Sequence, residues 1–126
     1  MASASPISVL IADDSQLMRT VVRDALTTDP AIQVVGVAAN GKEAVAMARS
    51  LEPDVVLMDL DMPAMNGAEA TDAIMRNTEN QPVVIIFSGY TKDNADLALA
   101  CMRLGAFSCV EKPAAIQSDM APVLEA

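Results

Sequence analysis

The sequence predicts an α/β fold: a flavodoxin-like, doubly wound sheet of five parallel strands in the order 2-1-3-4-5, with helices on both faces. Three observations lead there. Five short apolar runs are near-continuous rather than alternating, as parallel strands covered on both faces require. Segments of helical periodicity separate these runs. The length of 126 residues suits one domain, and five strands favour this order over the dinucleotide-binding one.

The first strand is Ile7–Ala12 (ISVLIA). A helix over residues 15–28 follows, with Met18, Val21, Val22, Ala25 and Leu26 on one face. Asp14 or Ser15 is its candidate N-cap, and Asp29-Pro30 ends it. Ile32–Ala38 is the second strand, and Asn40-Gly41 a turn that starts a helix over 41–50. Residues 55–59 form the third strand and Gly67–Arg76 the third helix; 77–81 is polar loop. Val83–Ser88 is the fourth strand. The fourth helix spans 91–104 and stops at Gly105, before a fifth strand at 106–112.

Composition narrows the function. Hydrophobic residues make up 52%, with two Phe, one Tyr and no Trp, so the core is aliphatic and draws on nine Met. A net charge of −9 argues against a nucleic-acid surface, which needs clustered Lys and Arg. No apolar run approaches the roughly 20 residues of a membrane span, and MASASPIS is no signal peptide. The expectation is a cytoplasmic protein without membrane insertion. Cys101 and Cys109 fit reduced thiols, and the absence of His argues against zinc and phosphohistidine chemistry within this chain.

Polar residues gather at the strand ends. The first strand runs into Asp13-Asp14, the third into Asp59, the fourth into Ser88, and the fifth into Glu111-Lys112-Pro113. The expected strand order brings these carboxyl ends into one crevice. Any one acid there has an ordinary reading as a solvated loop residue, Ser88 as a helix cap, and Lys112-Pro113 as a turn. The joint pattern at four strand ends favours a site. Three close carboxylates repel and need a cation, and hard oxygen ligands suit Mg²⁺ or Mn²⁺. Lys112 adds a mobile positive charge and Ser88 a hydroxyl, a set suited to a phosphoryl group. A carboxylate can itself be the nucleophile, so no base is needed.

At VLIADDS, PDVVLMDLDMPAMNG, VVIIFSG and VEKP the chain resembles the receiver (response regulator) domain of two-component signalling, over residues 7–113. The resemblance implies the same strand order, Asp59 as phosphoacceptor, and Mg²⁺ held by Asp14 directly, Asp13 largely through water, and the backbone carbonyl of Asp61. It implies that Ser88 moves toward the phosphoryl group and that Lys112 pairs with it, followed by Pro113, often cis in this family. A histidine kinase or phosphotransfer protein would donate the phosphoryl group, and hydrolysis would remove it. DSQLMR, DPAIQVVGVAANGKEAV and LGAFSCVEKP are most similar to receivers of the chemotaxis methylesterase type. The expectation is one receiver domain over 1–126 that catalyses only its own phosphorylation and dephosphorylation. Its tail at 114–126 would be a shortened last helix or a linker, and the chain either a stand-alone receiver or part of a longer protein.

Two departures from the family pattern stand out. Receivers usually carry an aromatic three positions before the strand-five Lys; here Cys109 holds it, with Phe107 two residues earlier as a candidate substitute on the same strand face. Asp61 and Tyr90 occupy positions where the family controls dephosphorylation. The fourth helix is apolar over most of its circumference, which reads either as deep burial or, with the fifth strand, as a partner-facing surface that switches. Its output partner is not legible. The same fold as an unphosphorylated interaction module is the alternative. A haloacid-dehalogenase-type phosphatase fits less well, because Asp59-Leu60-Asp61 follows the third strand and the chain is short. In a flavodoxin, Asp13-Asp14 would repel the cofactor phosphate.

Overall fold

A computed structural model describes residues 5–60, 62–76, 81–89 and 92–111. The strands are β1 (Ile7–Ala12), β2 (Ile32–Ala38), β3 (Val55–Met58), β4 (Val83–Ser88) and β5 (Ser108–Glu111). The helices are α1 (Gln16–Leu26), α2 (Gly41–Leu51), α3 (Gly67–Arg76) and α4 (Lys92–Leu104). All four strand pairings are parallel, and the order is β2-β1-β3-β4-β5. Both the fold class and the order match the expectation from the sequence.

The near-continuous apolar runs have a simple physical cause. Alternate side chains of each central strand enter different cores. Leu10, Ala12, Val56, Met58, Val84 and Ile86 pack on the side of α2, α3 and α4. Val9, Ile11, Leu57, Ile85 and Phe87 pack on the opposite side, against Val22 and Leu26 of α1. Each Val, Leu, Ile, Met or Phe among them stabilises the fold by roughly 1.5–3 kcal/mol on full burial. With both faces dry, polar residues are tolerated in these strands only at their ends.

Several boundaries move, each for a local reason. α1 starts at Gln16 because the Ser15 hydroxyl caps it, accepting from the Met18 N–H at 3.1 Å. It ends at Leu26 with Thr27 as C-cap, short of Asp29-Pro30. α2 starts after Asn40, which accepts from Glu43 N–H at 2.9 Å, while the Glu43 carboxylate reaches back past the cap to accept from Ala39 N–H at 2.8 Å. It ends one residue later than expected, at Leu51. β5 begins at Ser108 rather than 106, because Gly105 takes φ +118° and turns the chain into Ala106, whose N–H bonds the Cys101 carbonyl.

Deep burial of α4 is not what forms. Cys101 is fully buried, but Leu99, Met102 and Leu104 are exposed, as is Phe107 just before β5. The helix uses a narrow stripe against the sheet and α3. Its apolar circumference therefore leaves a hydrophobic surface beside β5. Among the described residues, no helix is long and apolar enough to cross a membrane.

Candidate functional site

Three acids meet where β1 and β3 end. The ladder continues one residue past each strand: Asp13 N–H donates to Ala38 O at 3.0 Å, and Asp59 N–H donates to Ala12 O at 2.9 Å. Asp13 and Asp59 are thus held by backbone at the same level of the sheet. Each is nearly buried, at 2% and 4% exposure, while Asp14 beside them is exposed. One carboxylate oxygen from each of Asp13, Asp14 and Asp59 lies within 4.8 Å of the other two.

The loop after β1 is fastened at several points. Asp13 Oδ1 accepts from Ser15 N–H at 2.9 Å, so the first acid also orders the entry to α1. Arg19, one turn into α1, donates from Nη1 to the Asp13 carbonyl at 2.7 Å, a charge-assisted bond. Sequence reasoning missed this role; the one signal for it is the spacing, Arg19 standing four residues after the cap Ser15.

The segment after Asp59 turns back tightly. Gly67 N–H donates to Leu60 O at 3.0 Å, and a Cβ on Gly67 would lie 2.3 Å from the Asp59 carbonyl oxygen. No side chain fits there, which accounts for the glycine that closes VVLMDLDMPAMNG. Between them, Leu60 and Met62 turn inward at 0% and 8% exposure and belong to the core of the α2–α4 side. Thr71 of α3, fully buried, donates its hydroxyl hydrogen to Gly67 O at 2.7 Å and braces the turn from below. Within this stretch the sequence singles out Asp61 and not Leu60 or Met62; the alternation of these two apolar residues is the available signal of their burial.

Ser88 ends β4 in register with Glu111 of β5 and is nearly buried at 6% exposure. Its hydroxyl contacts the Cys109 thiol. Cys109 is exposed by area, yet partial burial pushes the thiol above its ordinary range, and the contact with Ser88 offsets part of that. Phe107 is 65% exposed and lies outside β5, its N–H bonded to Val84 O. Four strand residues, about 13 Å, separate Val84 from Ser88. Asp61, Tyr90, Lys112 and Pro113 lie outside the described residues.

The donor set fits a hard divalent cation. It is all carboxylate oxygen, with two acids nearly buried and one open to water, as Mg²⁺ prefers when it keeps part of its hydration shell. Soft or imidazole ligands are absent from the cluster.

Comparison with known proteins agrees with this geometry. The model of the family described as "Response regulator receiver domain" matches residues 9–121. A protein-glutamate methylesterase/protein-glutamine glutaminase of Methanococcoides burtonii is 45% identical over 112 residues, which are 88% of this chain and 31% of that protein. The chain thus spans about a third of the length of the curated relatives it matches. Among solved structures, the response regulator domain of Thermotoga maritima CheB superposes with a TM-score of 0.83 at 39% identity, covering 95% of this chain and 91% of that one. The CheX–CheY–BeF3–Mg²⁺ complex of Borrelia burgdorferi gives a TM-score of 0.82 at 30% identity, covering 96% and 86%.

Proposed function

Because this chain belongs to the response regulator receiver domain family, we propose that Asp59 is its phosphoacceptor, charged by a histidine kinase or phosphotransfer protein. The observation that carries this is the meeting of Asp13, Asp14 and Asp59 within 4.8 Å, with Asp59 held from both sides by backbone. An Asp59 carboxylate oxygen forms the bond to phosphorus as the donor's phosphorus–nitrogen bond breaks, and the donor imidazole keeps the electron pair. Asp13, Asp14 and Asp59, with the Asp61 carbonyl, would hold Mg²⁺, which would supply positive charge to the transferring group. Ser88 donates its hydroxyl to a phosphoryl oxygen, and Lys112 pairs with another. Hydrolysis later returns Asp59 to a carboxylate and releases inorganic phosphate, at a rate that the side chains of Asp61 and Tyr90 set.

The added charge of about −1.5 to −2 enters an already acidic crevice, so Ser88 reorganises toward it. That motion draws the β4–α4 connection and alters the surface made by α4 and β5, where Leu99, Met102 and Phe107 are exposed. The chain itself acts only on its own phosphoryl group.

The test is labelling by a small phosphodonor such as acetyl phosphate, followed by intact mass. Wild type gains one phosphoryl group with Mg²⁺ and none with chelator. Asp59→Asn gains none. Equal labelling of the variant would overturn the assignment. Cys109 at the usual aromatic position favours the second reading, an unphosphorylated interaction module; absence of labelling from every phosphodonor and kinase would support it.

A further inference from the structure

The chain is acidic, with eight Lys and Arg against 17 Asp and Glu, yet one cavity, joined to the acid cluster only through Arg19, is cationic. It has a volume of about 220 Å³ and is lined by Gln16, Arg19, Thr20 and Arg23 of α1 and by Val37 of β2. Arg19 and Arg23 stand four residues apart, so both guanidinium groups project from one helix face. Val37 supplies an apolar wall.

The donors are mostly uncommitted among the described residues. Arg19 uses Nη1 on the Asp13 carbonyl, and this bond anchors the guanidinium while its other N–H groups stay available. Arg23 has only a long contact to Asp24, 4.0 Å, between half-exposed side chains, which binds weakly. Thr20 donates to Gln16 O at 3.0 Å and so offers the cavity only lone pairs; the Gln16 amide is the third donor. Guanidinium forks match oxyanions in bidentate geometry. The volume lies below the roughly 300–1,000 Å³ of drug-sized pockets, which limits the ligand to a small molecule.

We propose that this cavity between α1 and β2 binds a small oxyanion, a phosphomonoester or a dicarboxylate, through Arg19, Arg23 and Gln16. The site is separate from Asp59, and phosphorylation there is not required for it. Because the chain as a whole repels anions, binding depends on the two guanidinium groups and weakens with salt.

The experiment is an amide NMR titration of the full chain, metal-free and at fixed ionic strength, with inorganic phosphate and succinate in separate arms. Saturating shifts at Arg19, Thr20, Arg23 and Val37 in at least one arm are expected, and the tighter arm identifies the ligand chemistry. Arg23→Gln, a change at an exposed residue, should weaken that arm about tenfold, the loss of one charge-assisted contact. Asp59→Asn should leave it intact, so failure of phosphorylation and failure of this site read out separately. Shifts that never saturate in either arm overturn the proposal. So do shifts centred on Asp13, Asp14 and Ser88, or unchanged affinity in Arg23→Gln.

Discussion

Arg19 ties the first helix to the acid cluster through one backbone oxygen. Its bond to the Asp13 carbonyl is short at 2.7 Å and charge-assisted, a class worth about 1.5–3 kcal/mol. Arg19→Ala frees the loop that carries Asp13 and Asp14, so Mg²⁺ should bind about three- to tenfold more weakly, a fraction of that bond. Calorimetric titration checks it, with Arg19→Lys restoring part of the affinity. Gly67 is a stricter constraint, because any Cβ meets the Asp59 carbonyl at 2.3 Å. Gly67→Ala must displace the backbone that holds Asp59 and should cost about 1–3 kcal/mol in urea denaturation, as overpacking does. Burial, partly offset by its contact with Thr71 and reinforced by Cys109, pushes the Cys101 thiol from 9.0 to about 11. The folded thiol therefore keeps its proton where the unfolded one has lost it. Its contribution is fully present below pH 9 and is lost as pH rises toward 11. Urea midpoints of wild type should fall more steeply over that window than those of Cys101→Ala.

At the scale of elements, the helix entries show what the sequence carried and what it did not. Asn40 before Gly41 signalled a turn and helix start, and Asn40 caps Glu43 N–H while Glu43 secures the Ala39 N–H just before the cap. Asn40→Ala should destabilise the fold by about 1 kcal/mol, measured by chemical denaturation, with the Mg²⁺ affinity little changed. The ends of β1, β3 and β4 were legible because an apolar run between two dry faces admits a carboxylate or hydroxyl only at the sheet edge, where Asp13, Asp59 and Ser88 stand although nearly buried. The start of β5 was not. Ala106 and Phe107 have strand-like composition, but the left-handed Gly105 aims them into a turn bonded back to Cys101, and only geometry reveals that. α4 misleads for a related reason: apolar residues around most of its circumference suggest burial, whereas one stripe touches the sheet and Leu99 stays 61% exposed. Contacts across elements, such as Ser88 with Cys109 or Arg19 with Asp13, have no periodic signature at all.

At the scale of the whole molecule, the net charge of −9 and the cluster at the sheet edge set a linkage between metal and stability. Asp13 and Asp59 are nearly buried beside Asp14, with their oxygens within 4.8 Å. Without a cation the folded state carries a repulsion that the expanded unfolded chain relieves. A divalent ion bound only by the folded state reverses this and stabilises by RT ln(1 + [L]/Kd), about 1.4 kcal/mol at ten times Kd. Melting temperature should therefore rise with Mg²⁺ and saturate, while the same ionic strength supplied as NaCl, which only screens, should give a smaller and unsaturating rise. Asp14→Asn separates the two effects, because Asp14 is exposed and its removal leaves no buried group unpaired. In chelator the variant should be more stable than wild type by some tenths of a kcal/mol, the usual size of an exposed like-charge contact. In excess Mg²⁺ the order should invert, since the variant has lost a ligand. A variant less stable than wild type under both conditions would mean that Asp14 supports the loop rather than loading the site with charge.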